Sequence, residues 1–181
     1  MHMRTLQLAT VLLATALAGC HANENAVTVG SYMTLHGSTV AVHAPGRQDA
    51  LISPAGELSI NRQPVVITDS ERDLLKQYHA NAMAIREHGI AAGKAGLATA
   101  GQALSSVASG LASGDTDKID AEVGASVAKV DASANLICDD LASIRTIQQS
   151  LASQLEAFRP YALIKADEAI NCRGHTKTRV R

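Results

Sequence analysis

The stretch that decides the fold is GIAAGKAGLATAGQALSSVASGLASG, which runs from Gly89 to Gly114. Gly, Ala and Ser make up most of it, and Lys94 is its one charged residue. This composition allows burial in a membrane or burial against protein. Residues 95–114 are 20 uncharged residues, the length of a membrane span. Too few of them are strongly apolar to make insertion favourable, so burial against protein is the preferred alternative.

The chain after this stretch carries a heptad pattern that ends at Pro160. One row repeats every seven residues, and a second row follows each of its first five members four residues later. The first row is Val123, Val130, Ile137, Ile144, Leu151 and Phe158, and the second is Val127, Ala134, Leu141, Gln148 and Leu155. Every member except Gln148 is apolar, which predicts a long helix from about Asp117 to Phe158.

Two helical patterns of nearly equal length, Asp69–Ala112 and Asp117–Phe158, are joined by four residues. Such a pair is predicted to fold back as an antiparallel hairpin. Pairing positions whose numbers sum to about 230 sets the small residues of the first helix opposite the large heptad residues of the second. The sequence thus predicts a groove of small side chains that receives the second helix. Its members are Gly89, Gly93, Gly96, Ala100, Ala103 and Val107.

Short alternating apolar runs before the helices predict a small antiparallel meander. Gly- and Pro-containing turn signals separate these runs. The runs are Val27–Val29, Thr39–His43, Ala50–Ile52, Glu57–Ile60 and Val65–Ile67. About 40 residues cannot bury a core unaided, so one face of the sheet must pack on a helix. Thr68 and Glu71 have the spacing of a capping box, which predicts that this helix starts directly after the sheet.

The segment GELSINRQPVVITDSERDLLKQY, from Gly56 to Tyr78, resembles the core of the YggN-like family of exported gammaproteobacterial proteins, whose function is unknown. The matching residues are Leu58, Ile60, Ile67, Thr68, Leu74, Leu75 and Tyr78. Arg62 stands where the family usually has a turn glycine, so the sequence leaves a type I′ turn open. The resemblance covers about residues 56–105. It implies an exported protein and brings no catalytic residues.

The N-terminus has the pattern of a bacterial lipoprotein signal peptide. Arg4 precedes the apolar run Leu6–Ala18, whose 13 residues are too few to span a membrane and suit a signal-peptide core. The run ends in Leu-Ala-Gly-Cys, which resembles the lipobox, whose cysteine is lipidated and becomes the first residue. Because His21 rather than Asp follows Cys20, the sequence predicts an outer-membrane lipoprotein that faces the periplasm. A soluble secreted protein is the alternative.

Export places Cys138 and Cys172 in an oxidising compartment, where a disulfide is expected and two free thiols are the alternative. After Pro160, residues Tyr161–Ile170 have the pattern of a short third helix. A disulfide requires this segment to return antiparallel along the hairpin. The basic C-terminal end is either solvated or in contact with anionic lipid headgroups or lipopolysaccharide phosphates. Its basic residues are Arg173, Lys177, Arg179 and Arg181.

Motifs that carry chemistry are weak in this sequence. Ser126 and Lys129 match an S-x-x-K pattern without its companion motifs, and the acidic turn 115–122 lacks the order of a calcium-binding loop. The histidine pairs 36/43 and 79/88 lack the spacing of a helical metal site. Removing residues 1–19 leaves 15 of the 16 basic side chains against 17 acidic ones, which gives no field for nucleic acid. We expect no cofactor, metal or nucleic acid, and no enzyme.

The sequence therefore predicts an α+β, mostly α fold in which a small antiparallel β-meander packs on a long antiparallel helical hairpin with a short third helix. It divides into a signal peptide (1–19), a lipidated tether (20–26), the meander (27–67), the hairpin with a C-terminal helix (68–172) and a basic tail (173–181). The expected role is structural or interactive, in the cell envelope, with an envelope protein or a second copy as partner. The alternative is a membrane-active protein whose segment 89–114 associates with the bilayer.

Overall fold

The computed structural model describes residues 26–113, 117–167 and 172, and for residues 102–104, 106–113, 117–123 and 126 it describes the backbone alone. The fold predicted from the sequence is confirmed. A six-stranded antiparallel sheet packs on two long helices, and a short helical segment follows them.

The sheet is a simple meander in which every strand pairs with the next one along the chain. The strands are β1 (Ala26–Val29), β2 (Met33–His36), β3 (Thr39–Val42), β4 (Ala50–Ile52), β5 (Leu58–Ile60) and β6 (Gln63–Pro64). Strand β2 lies in none of the predicted runs, and the predicted last strand, Val65–Ile67, lies just beyond β6. One ladder hydrogen bond still forms beyond Pro64, because the backbone N–H of Val65 donates to the Leu58 carbonyl oxygen at 2.9 Å.

Backbone conformations with positive φ close the tight turns of the meander. Gly37, between β2 and β3, has φ 57°, which glycine adopts without steric cost. Asn61 and Arg62 connect β5 and β6 with φ 53° and 61°. Positive φ at both positions is the requirement of a type I′ turn, and it is met here by an arginine where the sequence left the turn type open.

The helices are α1 (Asp69–Ser113) and α2 (Asp117–Gln154). The predicted capping box starts α1: the backbone N–H of Thr68 donates to the Glu71 carboxylate at 2.6 Å, and the N–H of Glu71 donates to the Thr68 hydroxyl at 3.3 Å. At 1.5 Å per residue, α1 is about 67 Å long, far longer than the sheet it packs on.

Helix α1 crosses the strand ends rather than running along the strands. Gly56, in the loop between β4 and β5, lies against the first turns of α1, where an added Cβ would come within 2.5 Å of the Arg72 carbonyl oxygen. The β2–β3 turn lies farther along α1, where Arg86 donates to the Gly37 carbonyl at 3.3 Å. The helix therefore passes from the β5 side of the sheet to the β2 side before it leaves the sheet.

The core lies between one face of the sheet and the two helices. Tyr78 and Phe158 form its centre, with ring centroids 6.0 Å apart in an edge-to-face arrangement. Burial raises the pKa of the Tyr78 phenol. The other large side chains that are fully buried are Met33, Leu35, Val40, Val42, Ile52, Leu58, Leu75, Ile144, Leu151 and Gln148.

The predicted heptad rows of α2 are buried or half-buried over residues 130–151, whereas Val127 is 40% exposed. The predicted groove of glycines is wrong. Gly89, Gly93 and Gly96 are exposed, and a Cβ placed on any of them would have no neighbouring heavy atom within 4 Å outside the local helix backbone. Half-buried Ala92 and Thr99 instead continue the row of buried Ile85 at spacings of seven. The buried row of α1 therefore follows a single seven-residue repeat, and the glycines lie beside this row.

The end of the hairpin differs from the prediction in one respect. Helix α2 stops at Gln154, and a 3₁₀ helix at Glu156–Tyr161 follows, with Pro160 inside it. Residues 162–165 have no regular structure, and 166 and 167 are helical. The predicted short third helix is therefore present, but it covers Glu156–Tyr161 instead of the predicted Tyr161–Ile170. Residues 168–171 lie outside the described part.

Candidate functional site

The C-terminal segment returns along α2, as the predicted disulfide requires. The sulfur atoms of Cys138 and Cys172 lie 1.98 Å apart, at bonding distance. Between the 3₁₀ helix and this disulfide, Gln148 forms two hydrogen bonds with the backbone of Ile164. The one polar member of the heptad rows thus binds the returning segment.

A polar cluster lies where the hairpin leaves the sheet, which we call the hairpin root. His88 Nε2 on α1 lies 3.5 Å from Asp140 Oδ2 on α2. Burial raises the pKa of the Asp140 carboxyl, and the nearby His88 lowers it by a smaller amount. Arg86 and Arg145 each bury a side-chain Nε that has no hydrogen-bond partner among the described residues. His88 and Asp140 thus place an imidazole beside a half-buried carboxylate between α1 and α2.

Beyond the root, α1 and α2 continue as a two-helix stalk that consists of residues 89–113 and 117–137. Its length is about 40 Å, counted from Arg86, where α1 contacts the sheet. On α1, Ile90 is 44% exposed and Leu97 is 77% exposed. Seven residues separate them, so they share the helix face that points away from α2, beside the exposed glycines. No described helix is at once long enough and apolar enough to cross a membrane.

A row of polar side chains crosses the outer face of the sheet, opposite the core. Thr34 Oγ1 lies 2.8 Å from His43 Nε2, and His43 Nδ1 lies 2.8 Å from Asp49 Oδ1. This is the order of hydroxyl, imidazole and carboxylate that activates a nucleophile in hydrolases. A cavity of about 530 Å³ on the sheet is lined instead by residues that include Ser59 and Arg72. None of the three residues of the row lines this cavity.

Sequence reasoning missed this polar row. The sequence marks His43 only as a member of the histidine pair 36/43, and residues 34, 43 and 49 share no motif spacing. The row exists because β2 and β3 pair Thr34 with Ala41, which places His43, two residues farther along the same face, diagonal to Thr34. Strand register, rather than local sequence, brings the three groups together.

The remaining histidines have separate surroundings. His79 Nε2 contacts the Ser38 carbonyl oxygen at 2.6 Å and so fixes the β2–β3 turn on α1, and His36 is exposed. No group of three or more potential metal ligands occurs within the described ranges. Lys129 of the S-x-x-K pattern is exposed on α2, and for Ser126 only the backbone is described.

Several predicted residues lie outside the described part of the chain. They are Cys20, the acidic turn residue Asp115, and the basic residues Arg173, Lys177, Arg179 and Arg181. The lipid anchor and the tail contact therefore stay predictions.

No protein-family model, curated protein or solved structure matches this chain. The resemblance of residues 56–105 to the YggN-like family therefore also stays a prediction. The function has to be argued from the residues and the geometry of this chain alone.

Proposed function

We propose that this chain is a lipid-anchored protein of the bacterial cell envelope, which faces the periplasm from the outer membrane and acts by binding another protein rather than by catalysis. The lipobox at Cys20 and the two cysteines expected to pair in an oxidising compartment support the location. The stalk supports the binding role.

The exposed glycines of α1 are the main support for the proposed binding role. Each glycine inside a helix costs about 1 kcal/mol relative to alanine. Gly89, Gly93 and Gly96 bring no packing gain within this chain, because no side chain approaches them. Small residues at spacings of three and four let the backbone of another helix approach closely. Together with exposed Leu97 they form a surface suited to a helix of an envelope protein.

The position of the tether agrees with a partner at the envelope. Ala26 pairs with His36, next to the β2–β3 turn that contacts Arg86 at the hairpin root. Residues 20–25 reach about 20 Å when extended. An acylated Cys20 would therefore hold the root within that distance of the membrane surface, so the stalk would meet proteins of the same membrane.

The anchor is tested by the mass of the chain extracted from bacterial membranes. A lipoprotein should lack residues 1–19 and carry the added mass of the lipid on Cys20, and Cys20→Ser should lose both changes. An unmodified cysteine in the membrane fraction would reject the anchor.

The binding surface is tested by crosslinking in living cells from a photoreactive residue at position 96. We expect a discrete crosslinked product from position 96 and none from position 62, which is exposed on the β5–β6 turn. Gly93→Leu should abolish the product without lowering the melting temperature, because it adds bulk to an exposed face. A product at twice the subunit mass would identify a second copy as the occupant, and no product from position 96 would reject the proposal.

A membrane-active protein is the second candidate, since Ile90 and Leu97 expose apolar surface on one face of the stalk. A surface helix could lie on a bilayer with this face buried. In that case Cys20→Ser would stay with membranes after a high-salt wash, and Leu97→Ser would release it. A Cys20→Ser chain that is fully soluble would reject this alternative.

A further inference from the structure

The two edges of the sheet differ in how they are protected. At one edge, β6 has two residues, and Pro64 removes a donor, which is a common way to block the addition of another strand. At the other edge, β1 has four residues, Ala26–Val29, without charge or proline. None of the described residues pairs with its outer side. An unprotected edge of this kind is a template for another strand.

The hydrogen-bond pattern shows which groups face this open edge. The backbone N–H of His43 donates to the Tyr32 carbonyl oxygen at 2.8 Å, so Tyr32 bonds toward β3. Bonding direction alternates along an antiparallel strand, so Thr34 also bonds toward β3 and Leu35 bonds toward β1. Because Thr28 pairs with Thr34, its backbone N–H and C=O point away from β2.

The polar row on the outer face ends at this same residue. Thr28 Oγ1 lies 3.5 Å from Thr34 Oγ1, which continues through His43 to Asp49. On the opposite face, Val27 and Val29 are only half-buried, because they pair with buried Leu35 and Met33 at the margin of the core. The edge therefore offers backbone groups, a hydroxyl and apolar surface to one incoming strand.

We propose that β1 pairs antiparallel with β1 of a second copy of this chain, with Thr28 opposite Thr28 of the partner subunit. The segment Val27-Thr28-Val29 reads the same in both directions, so antiparallel self-pairing sets threonine against threonine and valine against valine. Cross-strand pairs of these residue types stabilise sheets. The two polar rows then join across the two-fold axis, and the sheet continues through twelve strands, twice the six of one chain.

The chain's own upstream residues are a poor occupant for this edge. To pair with β1, residues 20–25 would have to turn back along it and also connect to the membrane. This argument rests on the proposed lipid anchor. In a dimer the tether does not have to turn back, because each copy keeps its own tether to the membrane. The interface itself does not depend on the anchor, so it is open to test in soluble and anchored forms.

Thr28→Cys tests the pairing directly. In a hydrogen-bonded antiparallel pair, the two Cα atoms lie about 5.5 Å apart, which is within the range that a disulfide spans. We expect most of the full-length Thr28→Cys chain to form a covalent dimer under oxidising conditions, in cells and in the soluble Cys20→Ser form. Gln63→Cys, on the blocked edge, is the matched control and should stay monomeric. Equal crosslinking of the two variants would overturn the proposal.

Thr28→Pro provides the second measurement. Since the Thr28 N–H points outward, proline removes no bond to β2, and the variant should keep its far-ultraviolet circular dichroism and melting temperature. In sedimentation we expect the Cys20→Ser chain to be a dimer and the same chain with Thr28→Pro to be a monomer. A monomeric parent chain, or a dimeric Thr28→Pro variant, would overturn the proposal. A chain found without lipid would reject the anchor and leave the crosslinking result unaffected.

Discussion

Gln148 binds the backbone of Ile164 through both ends of its side-chain amide. Its Nε2 donates to the Ile164 carbonyl oxygen at 2.6 Å, and its Oε1 accepts the Ile164 N–H at 3.3 Å. Gln148 is 1% exposed and Ile164 is 3% exposed. The glutamine therefore satisfies two buried backbone groups of a segment that has no regular structure of its own.

We expect Gln148→Leu to lower the free energy of unfolding by about 2–6 kcal/mol. Leucine has a similar size but leaves the N–H and C=O of Ile164 buried without partners, and each such group costs about 1–3 kcal/mol. Urea unfolding measures this change. The control is Gln149→Leu, one residue farther on the exposed face of α2, which should change stability by about 0.5 kcal/mol or less. Equal effects of the two substitutions would contradict the role of Gln148.

Replacing Cys138 and Cys172 with serine should lower stability by roughly 3–4 kcal/mol, because the disulfide closes a loop of 34 residues. The disulfide and Gln148 hold the same segment. We therefore expect the double-serine variant and Gln148→Leu to be non-additive, with a combined loss smaller than the sum. Strict additivity in urea unfolding would show that the disulfide and Gln148 act on separate segments.

Gly93→Ala and Gly96→Ala should each raise the free energy of unfolding by about 0.5–1 kcal/mol. Alanine is the better helix former, and the added methyl group meets no neighbouring side chain at either position. Gly56→Ala is the contrasting control and should destabilise the protein, because Gly56 has φ +73° and its Cβ would lie 2.5 Å from the Arg72 carbonyl oxygen. Thermal unfolding measures the stability of all three variants. Destabilisation by Gly96→Ala would support the predicted groove of glycines, which the structure contradicts.

Asp140 should make the protein's stability depend on pH. Burial raises the pKa of its carboxyl in the folded state, so the folded chain binds the proton more tightly than the unfolded chain. Its contribution to stability is therefore greatest below the ordinary pKa of 3.8 and decreases as the pH rises through the folded-state pKa. Relative to wild type, Asp140→Asn should be more stable at pH 7 than at pH 3.5.

The comparison needs urea unfolding of both chains at the two pH values, because only the change in their difference reports on ionisation. In a His88→Gln background the change should be larger, since His88 is the contact that lowers the pKa of Asp140. The same difference at both pH values would contradict the prediction.

The helices that were placed correctly are those whose sequence contrasts large residues with small or polar ones. The heptad of α2 is visible because valine, isoleucine and leucine recur among alanine, serine and aspartate, and the observed seam is buried from Leu141 to Leu155. In α1 after Ile85 that contrast is absent. Glycine and alanine occur on every side of the helix, so the rows 89, 93, 96 and 85, 92, 99 fit the periodicity equally well. Only the side-chain contacts in the structure show which of the two rows is buried.

In the sheet, too, local sequence signals predicted some features and strand register decided the others. The turn residues predicted most of the hairpins, but β2 lies between two such signals, at Gly30 and Gly37, and was not recognised as a strand. With β2 missing, the pairing of Thr28 with Thr34 and the reach of His43 could not be derived.

The sequence by itself determined the order of sheet and hairpin, the start of α1 at its capping box, the heptad face of α2 and the pairing of Cys138 with Cys172. These depend on local spacing and on which residue types avoid water. Tertiary structure decided which side of α1 packs, what the buried Gln148 binds and which polar groups meet on the sheet. Those features depend on register and on contacts between distant segments, where residues of equal size and polarity compete for the same place.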